Sequence, residues 1–99
     1  MVGLKVPSEQ IENFCKRYQI TEFALFGSIL RDEFNHESDV DVLVIFASEA
    51  HPSLFDLAIM RDELAKLLNR DVDLVEKSAL RNPFRKSHIL NNMEVVYAA

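Results

Sequence analysis

The chain has 99 residues, 48% of them hydrophobic, and carries 11 Lys and Arg residues against 16 Asp and Glu residues, for a net charge of −5. This length supports a modest core in one domain, so residues 1–99 are predicted to form a single folded unit. The acidic balance excludes strong non-specific binding to duplex DNA or RNA, because the chain has no surplus of cations to displace the counterions of a polyanion.

Cysteine usage and the amino terminus indicate where the protein works. The chain has one cysteine, Cys15, so no internal disulfide can form, and a reducing compartment such as the cytoplasm is expected. The first residues, MVGLKVPSEQ, contain no apolar segment of signal-peptide length, and no apolar span approaches transmembrane length. We therefore expect no membrane association.

The first predicted element is a helix that opens at Pro7 and Ser8. The apolar residues that recur at helical spacing within it are Ile11, Phe14, Cys15 and Tyr18. Cys15 is therefore predicted to be a core thiol and not a nucleophile, and Tyr18 to be a core aromatic.

The stretch 23–46 organises the rest of the chain. An apolar run, FALF, leads into Gly27 and Ser28, and a short helix is predicted over 29–34. Glycine permits a ligand to approach the backbone closely. A helix N-terminus offers free N–H groups and a partial positive charge, which favour binding of a phosphate. The Ser28 hydroxyl is expected to cap this helix or to donate to a phosphate oxygen, and Arg31 to reach a phosphate or an acidic neighbour.

Two aspartates stand at the start of the next apolar run, DVDVLVIF. Residues two apart on a strand point to the same face, so Asp39 and Asp41 project together with Cα atoms roughly 7 Å apart. Their like charges at the end of a buried strand need a positive partner, and Mg²⁺ prefers carboxylate oxygens. In the loop before them we expect His36 to be a solvated imidazole and Ser38 to satisfy the backbone of the turn.

The run GSILRDEFNHESDVDVLVIF resembles the signature of the nucleotidyltransferase superfamily that includes DNA polymerase beta, and in this short form it resembles the minimal nucleotidyltransferase family. In that family a Gly-Ser turn precedes a helix and an Asp-x-Asp at a strand, with a third carboxylate on a neighbouring strand. The matching positions here are Gly27, Ser28, Asp39 and Asp41, and the natural third carboxylate is Asp73 in DVDLVEK. The family's Ser-Asp-x-Asp pattern also places Ser38 at the border of the nucleotide.

A longer helix is predicted to open with the capping box formed by Ser53 and Asp56 and to run to about residue 70. Its predicted buried stripe consists of Leu54, Leu57, Ala58, Leu64, Ala65 and Leu68. Phe55, Ile59 and Met60 add apolar surface beyond what one sheet face requires. We interpret this surplus as a broad core contact, with a protein interface as the alternative.

The segment 71–75 is predicted to be a third strand, in which Asp71 and Asp73 repeat the two-residue spacing. The spacing leaves open which of them joins the first acidic pair. We prefer Asp73 because Asp71 lies at the helix-to-strand turn, where a solvated carboxylate is ordinary. The alternative is that both aspartates are solubilising charges on an edge strand.

The remaining segments complete an α/β (α+β) domain. Asn82 and Pro83 are predicted to open a last helix, and 93–97 to form a terminal strand. The residues expected to anchor the helix are Phe84, Ile89 and Leu90, and a small basic cluster consists of Arg81, Arg85, Lys86 and His88. The fold implied is a polymerase-beta-like nucleotidyltransferase fold, with a small mixed sheet of about four strands and helices mainly on one face.

The resemblance implies Mg²⁺-dependent transfer of a nucleoside monophosphate, with ATP or another nucleoside triphosphate as donor. Two Mg²⁺ ions roughly 3.5 to 4 Å apart would serve this reaction, one at the acceptor hydroxyl and one at the leaving pyrophosphate. The catalytic and metal-binding carboxylates are then Asp39, Asp41 and Asp73. The nucleotide-binding residues are Gly27, Ser28, Arg31 and Ser38.

The family also implies a protein partner. Minimal nucleotidyltransferases commonly pair with small helical HEPN proteins as antitoxin and toxin, so the resemblance implies adenylylation of such a partner. One alternative is a binding module that neutralises its partner without turning over nucleotide. Another is a sugar-nucleotide transferase, which suits the Gly-Ser corner and the chain length less well. A homodimer is compatible with the sequence, although no residue demands one.

Overall fold

The computed structural model describes residues 6–27 and 39–99. In chain order the elements are α1 (Ser8–Arg17), β1 (Ile20–Phe26), β2 (Val40–Phe46), α2 (Leu54–Leu68), β3 (Val72–Glu76), a 3₁₀ turn (Lys77–Ala79), α3 (Pro83–Asn92) and β4 (Glu94–Ala98). The prediction of an α/β chain with about four strands is confirmed. The helix predicted over 29–34 lies outside the described residues, as do Ser28, Arg31, His36 and Ser38.

The strands form one mixed sheet in the order β3-β2-β1-β4. β1 pairs antiparallel with both β2 and β4, whereas β2 and β3 run parallel. β4 therefore runs in the same direction as β2 and β3, and the connections through α2 and α3 each return the chain to the end of the sheet at which β2 begins. We call this end, where Asp39, Asp41 and Asp73 lie, the acidic end.

Both faces of the sheet are covered, which explains the continuous apolar run in β2. Val40, Val42 and Val44 pack on one face with buried residues of α1 and α2. Leu43 packs on the other face, in a second cluster made with Phe26, Leu80 and Ile89. Two of the three described helices thus lie on one face, and α3 covers part of the opposite face.

α1 buries the predicted stripe through Ile11, Phe14 and Cys15. Burial raises the pKa of the Cys15 thiol to about 12, so the nucleophilic thiolate is scarce at neutral pH. The prediction that Cys15 is a core thiol is confirmed. Tyr18 follows the helix and packs against the same cluster, with its ring centre 4.9 Å from that of Phe14.

A polar contact joins the end of α1 to the middle of α2. Glu63 accepts a hydrogen bond from the Tyr18 hydroxyl at 2.8 Å and another from Arg17 Nη1 at 2.6 Å. The Arg17 guanidinium carbon also lies 5.3 Å from the centre of the Tyr18 ring. The contact joins two helical segments far apart in the sequence, so no local sequence pattern predicts it.

α2 opens with the predicted capping box. Ser53 Oγ accepts a hydrogen bond from the Asp56 N–H at 3.0 Å, and Asp56 Oδ2 accepts one from the Ser53 N–H at 2.9 Å. The helix ends at Leu68, slightly before the predicted boundary, because Asn69 adopts the left-handed conformation at φ 54°. Among the helices of the described ranges, none is long and apolar enough to cross a membrane.

The buried side of α2 differs from the predicted stripe. Met60, Leu64 and Leu68 are buried, whereas Leu54 is 86% exposed. Leu54 is the first residue of α2, more than a turn and a half before Met60, the first of the three buried residues. The prediction that Leu54 is buried is wrong, and Met60, expected to be surplus, belongs to the core.

Three further apolar side chains are exposed against expectation. Phe55 and Ile59 are 75% and 44% exposed, so a core contact does not account for the apolar surplus of α2. Phe84 was expected to anchor α3 and is 85% exposed, because α3 faces the sheet through Ile89 and its neighbours on the opposite side of the helix. The prediction for Ile89 is confirmed, since it is 4% exposed.

Candidate functional site

The acidic end of the sheet joins the end of β1 to the beginnings of β2 and β3. Phe26 pairs with Asp41 across the antiparallel ladder, and Asp41 pairs with Asp73 across the parallel ladder. Paired residues of neighbouring strands project to the same face. Two positions further on, Leu43 and Val75 lie in the apolar cluster that α3 covers. The two aspartates therefore stand side by side on the α3 face.

Gly27 makes room for the Asp41 carboxylate. The glycine has φ +76°, in the left-handed region that side chains other than glycine rarely adopt. A Cβ at this position would overlap Oδ2 of Asp41 and lie 3.0 Å from its Cγ. Both the backbone conformation and the lack of space thus require glycine, and the carboxylate of Asp41 lies directly against the corner that ends β1.

The three aspartates of the acidic end differ in exposure. Asp39 and Asp73 are exposed, whereas Asp41 is half-buried. Phe26 and Leu43, beside and beyond Asp41 on the same face, are 7% and 1% exposed. A carboxylate at the border of such an apolar cluster loses part of its hydration, so a cation bound between these aspartates would stabilise their charges.

Asp71 occupies a different position from Asp73. Its backbone carbonyl accepts a hydrogen bond from the Val40 N–H at 2.8 Å, at the start of the β2–β3 ladder. Asp71 also lines a surface cleft together with residues of the last turns of α2, namely Asp62, Ala65 and Lys66. The strand register therefore places Asp73, and not Asp71, opposite Asp41.

Not all the groups that the sequence suggested are brought together here. Among residues 6–27 and 39–99, no three His, Cys, Asp or Glu side chains lie close enough to form a metal site, so Asp39 does not complete a cluster with the neighbouring pair Asp41 and Asp73. The exposed Arg81 and Arg85 lie at the start of α3, which follows the far end of β3 and so begins away from the acidic end. The roles predicted for Ser28, Arg31 and Ser38 stay predictions, because these residues are outside the described ranges.

Similarity to known proteins agrees with this geometry. A family model described as the nucleotidyltransferase domain matches residues 8–96, which include the whole of the acidic end. The chain belongs to the nucleotidyltransferase domain family. The resemblance read from the Gly-Ser and Asp-x-Asp motifs is therefore confirmed, and the chain is a nucleotidyltransferase.

This nucleotidyltransferase domain is similar in sequence to some known proteins and similar in fold to others. Protein adenylyltransferase MntA of Thermococcus cleftensis is 40% identical over 82 residues, which make up 83% of this chain and 78% of that protein. A chain of a toxin–antitoxin crystal structure with AMP-PNP superposes with a TM-score of 0.76 at 19% identity, over 95% of this chain and 75% of its own length.

A third relative is a chain of the complex between tri-AMPylated HEPN toxin and MNT antitoxin of Shewanella oneidensis. It superposes with a TM-score of 0.67 at 18% identity, over 93% of this nucleotidyltransferase domain and 70% of its own length. At these identities the two structural likenesses establish a shared fold and no more. The predicted fold class is confirmed by them.

Besides the contact between Tyr18 and Glu63, two further features of the molecule are not predicted by any residue pattern. The contact between Gly27 and Asp41 depends on a backbone angle and a strand pairing, which no residue pattern reveals. The sequence shows that α2 has more apolar residues than one sheet face requires. It does not show how the helix is rotated about its axis, and this rotation determines that Leu54, Phe55 and Ile59 are the exposed ones.

Proposed function

We propose that the protein transfers AMP from ATP to a hydroxyl group of a helical HEPN-type partner protein, as the antitoxin of a toxin–antitoxin pair. The observation that carries this proposal is the placement of Asp73 directly beside Asp41, at the corner formed by Gly27. The relatives support the donor and the partner, because MntA of Thermococcus cleftensis is a protein adenylyltransferase, one structural relative was crystallised with AMP-PNP, and another is the MNT antitoxin in complex with a HEPN toxin.

The residues at the acidic end would divide the work of the reaction. The backbone N–H groups of the corner at Gly27, together with Ser28, Arg31 and Ser38, would bind the triphosphate and orient the α-phosphate for in-line attack. Exposed Asp73 would accept the proton of the acceptor hydroxyl. A bond forms between the acceptor oxygen and the α-phosphorus, the bond from the α-phosphorus to the bridging oxygen breaks, and pyrophosphate leaves.

Mg²⁺ prefers carboxylate oxygens as ligands. Asp41 and Asp73, which are paired across the β2–β3 ladder, would supply two such groups, and Asp39 is the third candidate at the same end of the sheet. Asp41 lies at an apolar border where a bound cation would offset its charge. Bound there, the two ions expected from the family resemblance would lower the pKa of the acceptor hydroxyl and neutralise the leaving pyrophosphate. The proposed donor is ATP, and the single cysteine, Cys15, forms no internal disulfide, as is usual for proteins of reducing compartments. We therefore expect the reaction to take place in the cytoplasm.

The experiment is a transfer assay with purified chain, purified HEPN-type partner, Mg²⁺ and ATP labelled on the α-phosphate. Asp41→Asn and Asp73→Asn are each expected to reduce labelling of the partner by at least about a hundredfold, because each removes a charge that acts on the reacting groups. Asp71→Asn is the matched control, since Asp71 is two residues from Asp73 and is not paired with Asp41. We expect it to stay within about threefold of the wild type.

The assay also separates the alternatives. Neutralisation of the partner by Asp41→Asn in the absence of ATP would indicate a stoichiometric binding module. Release of a nucleoside diphosphate in place of pyrophosphate would indicate a sugar-nucleotide transferase. Loss of labelling in Asp71→Asn with full labelling in Asp73→Asn would contradict the assignment of the third carboxylate.

A further inference from the structure

The first turns of α2 carry large apolar side chains that the fold does not use. Leu54 and Phe55 are 86% and 75% exposed, and Ile59 is 44% exposed, while the buried side of the same helix is already filled by Met60 and Leu64. Phe55 and Ile59 are four residues apart and therefore lie one above the other on the helix surface, with Leu54 beside them. We call these three residues the α2 patch.

A groove borders the patch. Its volume is about 310 Å³, and it lies between the loop that follows β2 and the end of α1. The lining residues include Tyr18, His51, Pro52, Asp56 and Met60. The patch and the groove together offer a ridge and an adjacent depression, which is a shape that a helix of another protein is able to cover.

The α2 patch is remote from the acidic end. β2 has seven residues, from Val40 beside Asp41 to Phe46, a length of about 20 Å at the usual rise of a strand. There the Ala47 N–H donates to the Gln19 carbonyl at 2.8 Å, and the chain continues into α2. A partner that docks at the α2 patch would therefore have to extend about 20 Å along the sheet for its acceptor hydroxyl to reach the nucleotide site.

Charge distinguishes between a second copy of this chain and a different protein as the occupant. Asp56 and Asp62 are exposed and flank Ile59, three residues before and three residues after it. If two copies packed antiparallel about a two-fold axis with their α2 helices crossing at Ile59, Asp56 would lie on the same flank of the contact as Asp56 of the other copy, and Asp62 on the same flank as Asp62. Arg61 already pairs with Asp62 at 3.7 Å within one chain. Two chains of net charge −5 would thus meet with like charges around the apolar centre.

We propose that the α2 patch is the docking surface for the HEPN-type partner, and that it receives an amphipathic helix whose apolar side is flanked by Lys or Arg. The apolar side covers Leu54, Phe55 and Ile59, and the flanking cations lie against Asp56 and Asp62. The same partner is then anchored at one end of the sheet and presents its acceptor hydroxyl at the other. This inference rests on the partner named under Proposed function, and it adds the surface that binds it.

The test measures the affinity of the purified HEPN-type partner for variants of the full chain, by calorimetry at 0.15 M salt. The double variant Leu54→Ala/Phe55→Ala is expected to raise Kd at least about tenfold, as truncation of central apolar contacts does in protein interfaces. Phe84→Ala is the matched control, because Phe84 is an equally exposed aromatic on α3. We expect Phe84→Ala and the site variant Asp41→Asn to bind within about threefold of the wild type.

A charge variant tests the chemistry of the partner. Asp62→Lys is expected to slow association and to reduce its dependence on salt, because it reverses a charge that faces partner cations. In the transfer assay, the double variant is expected to need more partner for half-maximal rate and to keep the rate of the wild type at saturating partner. Circular dichroism of each variant checks that the fold is retained.

Several results would overturn the inference. Binding of Leu54→Ala/Phe55→Ala within threefold of the wild type would do so, as would equal weakening by Phe84→Ala. If the wild type is a dimer in sedimentation and the double variant is a monomer, the patch would be assigned to a second copy.

Absence of binding by the wild type would end the inference whatever the transfer assay shows. Loss of transfer with the expected binding pattern would refute the chemistry alone, and intact transfer with unchanged binding would refute the docking surface alone.

Discussion

At the scale of single residues, the acidic end depends on one close contact. The Asp41 carboxylate occupies the space that a side chain at position 27 would need, and Gly27 holds a left-handed backbone angle there. The same glycine thus serves the turn at the end of β1 and the position of a proposed metal ligand. Any other residue would have to displace the carboxylate or change the corner.

Gly27→Ala is expected to destabilise the fold by at least about 1 kcal/mol, because alanine is strained in the left-handed region. For a domain of this size, that change lowers Tm by roughly 4–8 °C. Transfer of AMP is expected to fall as well, since the new Cβ displaces Asp41. Urea unfolding and the labelled-ATP assay measure the two effects.

A double-mutant cycle supplies the control for this variant. In an Asp41→Ala background the carboxylate is gone, so Gly27→Ala is expected to lose less stability than in the wild type. Equal losses in the two backgrounds would show that the contact with Asp41 contributes nothing.

Tyr18 provides a pH-dependent link between α1 and α2. The hydrogen bond that its hydroxyl donates to Glu63, together with burial and the Glu63 charge, raises the pKa of the Tyr18 phenol. The folded state therefore holds this proton more tightly than the unfolded state, in which the pKa of tyrosine is about 10. The stabilisation is complete below pH about 10 and is lost as the pH rises through the folded value.

Glu63→Gln is accordingly expected to lower the pKa of Tyr18 toward its ordinary value, because a neutral amide opposes the phenolate less than a carboxylate does. A Tyr97→Phe background leaves Tyr18 as the single tyrosine for titration by absorbance, since the chain has two. Tyr18→Phe is expected to lower the free energy of unfolding by the same amount from pH about 7 to 9, and by a smaller amount at pH about 11. A constant difference across that range would rule out this linkage.

At the scale of elements, α2 has one buried apolar side and one exposed apolar side. Its buried line runs through Met60, Leu64 and Leu68, and its outward side carries the α2 patch on the first turns. The capping box positions those turns, because it satisfies backbone groups at the start of the helix where the chain arrives from β2. The orientation of the proposed docking surface thus depends on two hydrogen bonds at the helix terminus.

Ser53→Ala is expected to reduce the free energy of unfolding by about 1 kcal/mol, the usual loss for a serine cap. Ser48→Ala is the control, since the exposed Ser48 hydroxyl donates to its exposed neighbour Glu49 and caps no helix. Denaturant titration of both variants tests the difference. If the two substitutions had the same effect, the cap would not be a source of stability for α2.

At the scale of the whole molecule, two apolar clusters on opposite faces of one sheet hold the acidic end in place. α1 and α2 cover one face, and α3 covers part of the other on its way from β3 to β4. β2 contributes to both clusters through alternate residues, since Val42 lies on one face and Leu43 on the other. Asp41 and Asp73 are therefore held next to each other by strands whose remaining residues pack in the two apolar clusters.

Leu64→Ala is expected to destabilise the protein by about 2–5 kcal/mol, because Leu64 is fully buried between α2 and the sheet. Leu54→Ala in the same helix is the matched control and should change stability by less than about 0.5 kcal/mol, because its side chain is exposed. Both values come from equilibrium unfolding in urea. A large loss in Leu54→Ala would mean that the α2 patch is covered in the free protein.

The sequence by itself determined the elements of this protein and the chemistry it offers. Apolar runs located the four strands, the Ser53 and Asp56 pair located the start of α2, and two motifs indicated the family, because these signals depend on residues close together in the chain. The two-residue spacing of the aspartates also predicted which carboxylates share a face.

Only the tertiary structure decided how those parts meet. The sequence favoured Asp73 over Asp71 only by its distance from a turn, whereas the position of Asp73 opposite Asp41 follows from the register of two parallel strands, which the long connection through α2 leaves undetermined in the sequence. The close fit of Gly27 against Asp41, the contact of Glu63 with Tyr18 and the exposure of Leu54 have the same origin. Each depends on packing between elements, and packing is set by the sum of many distant contacts and not by any local pattern.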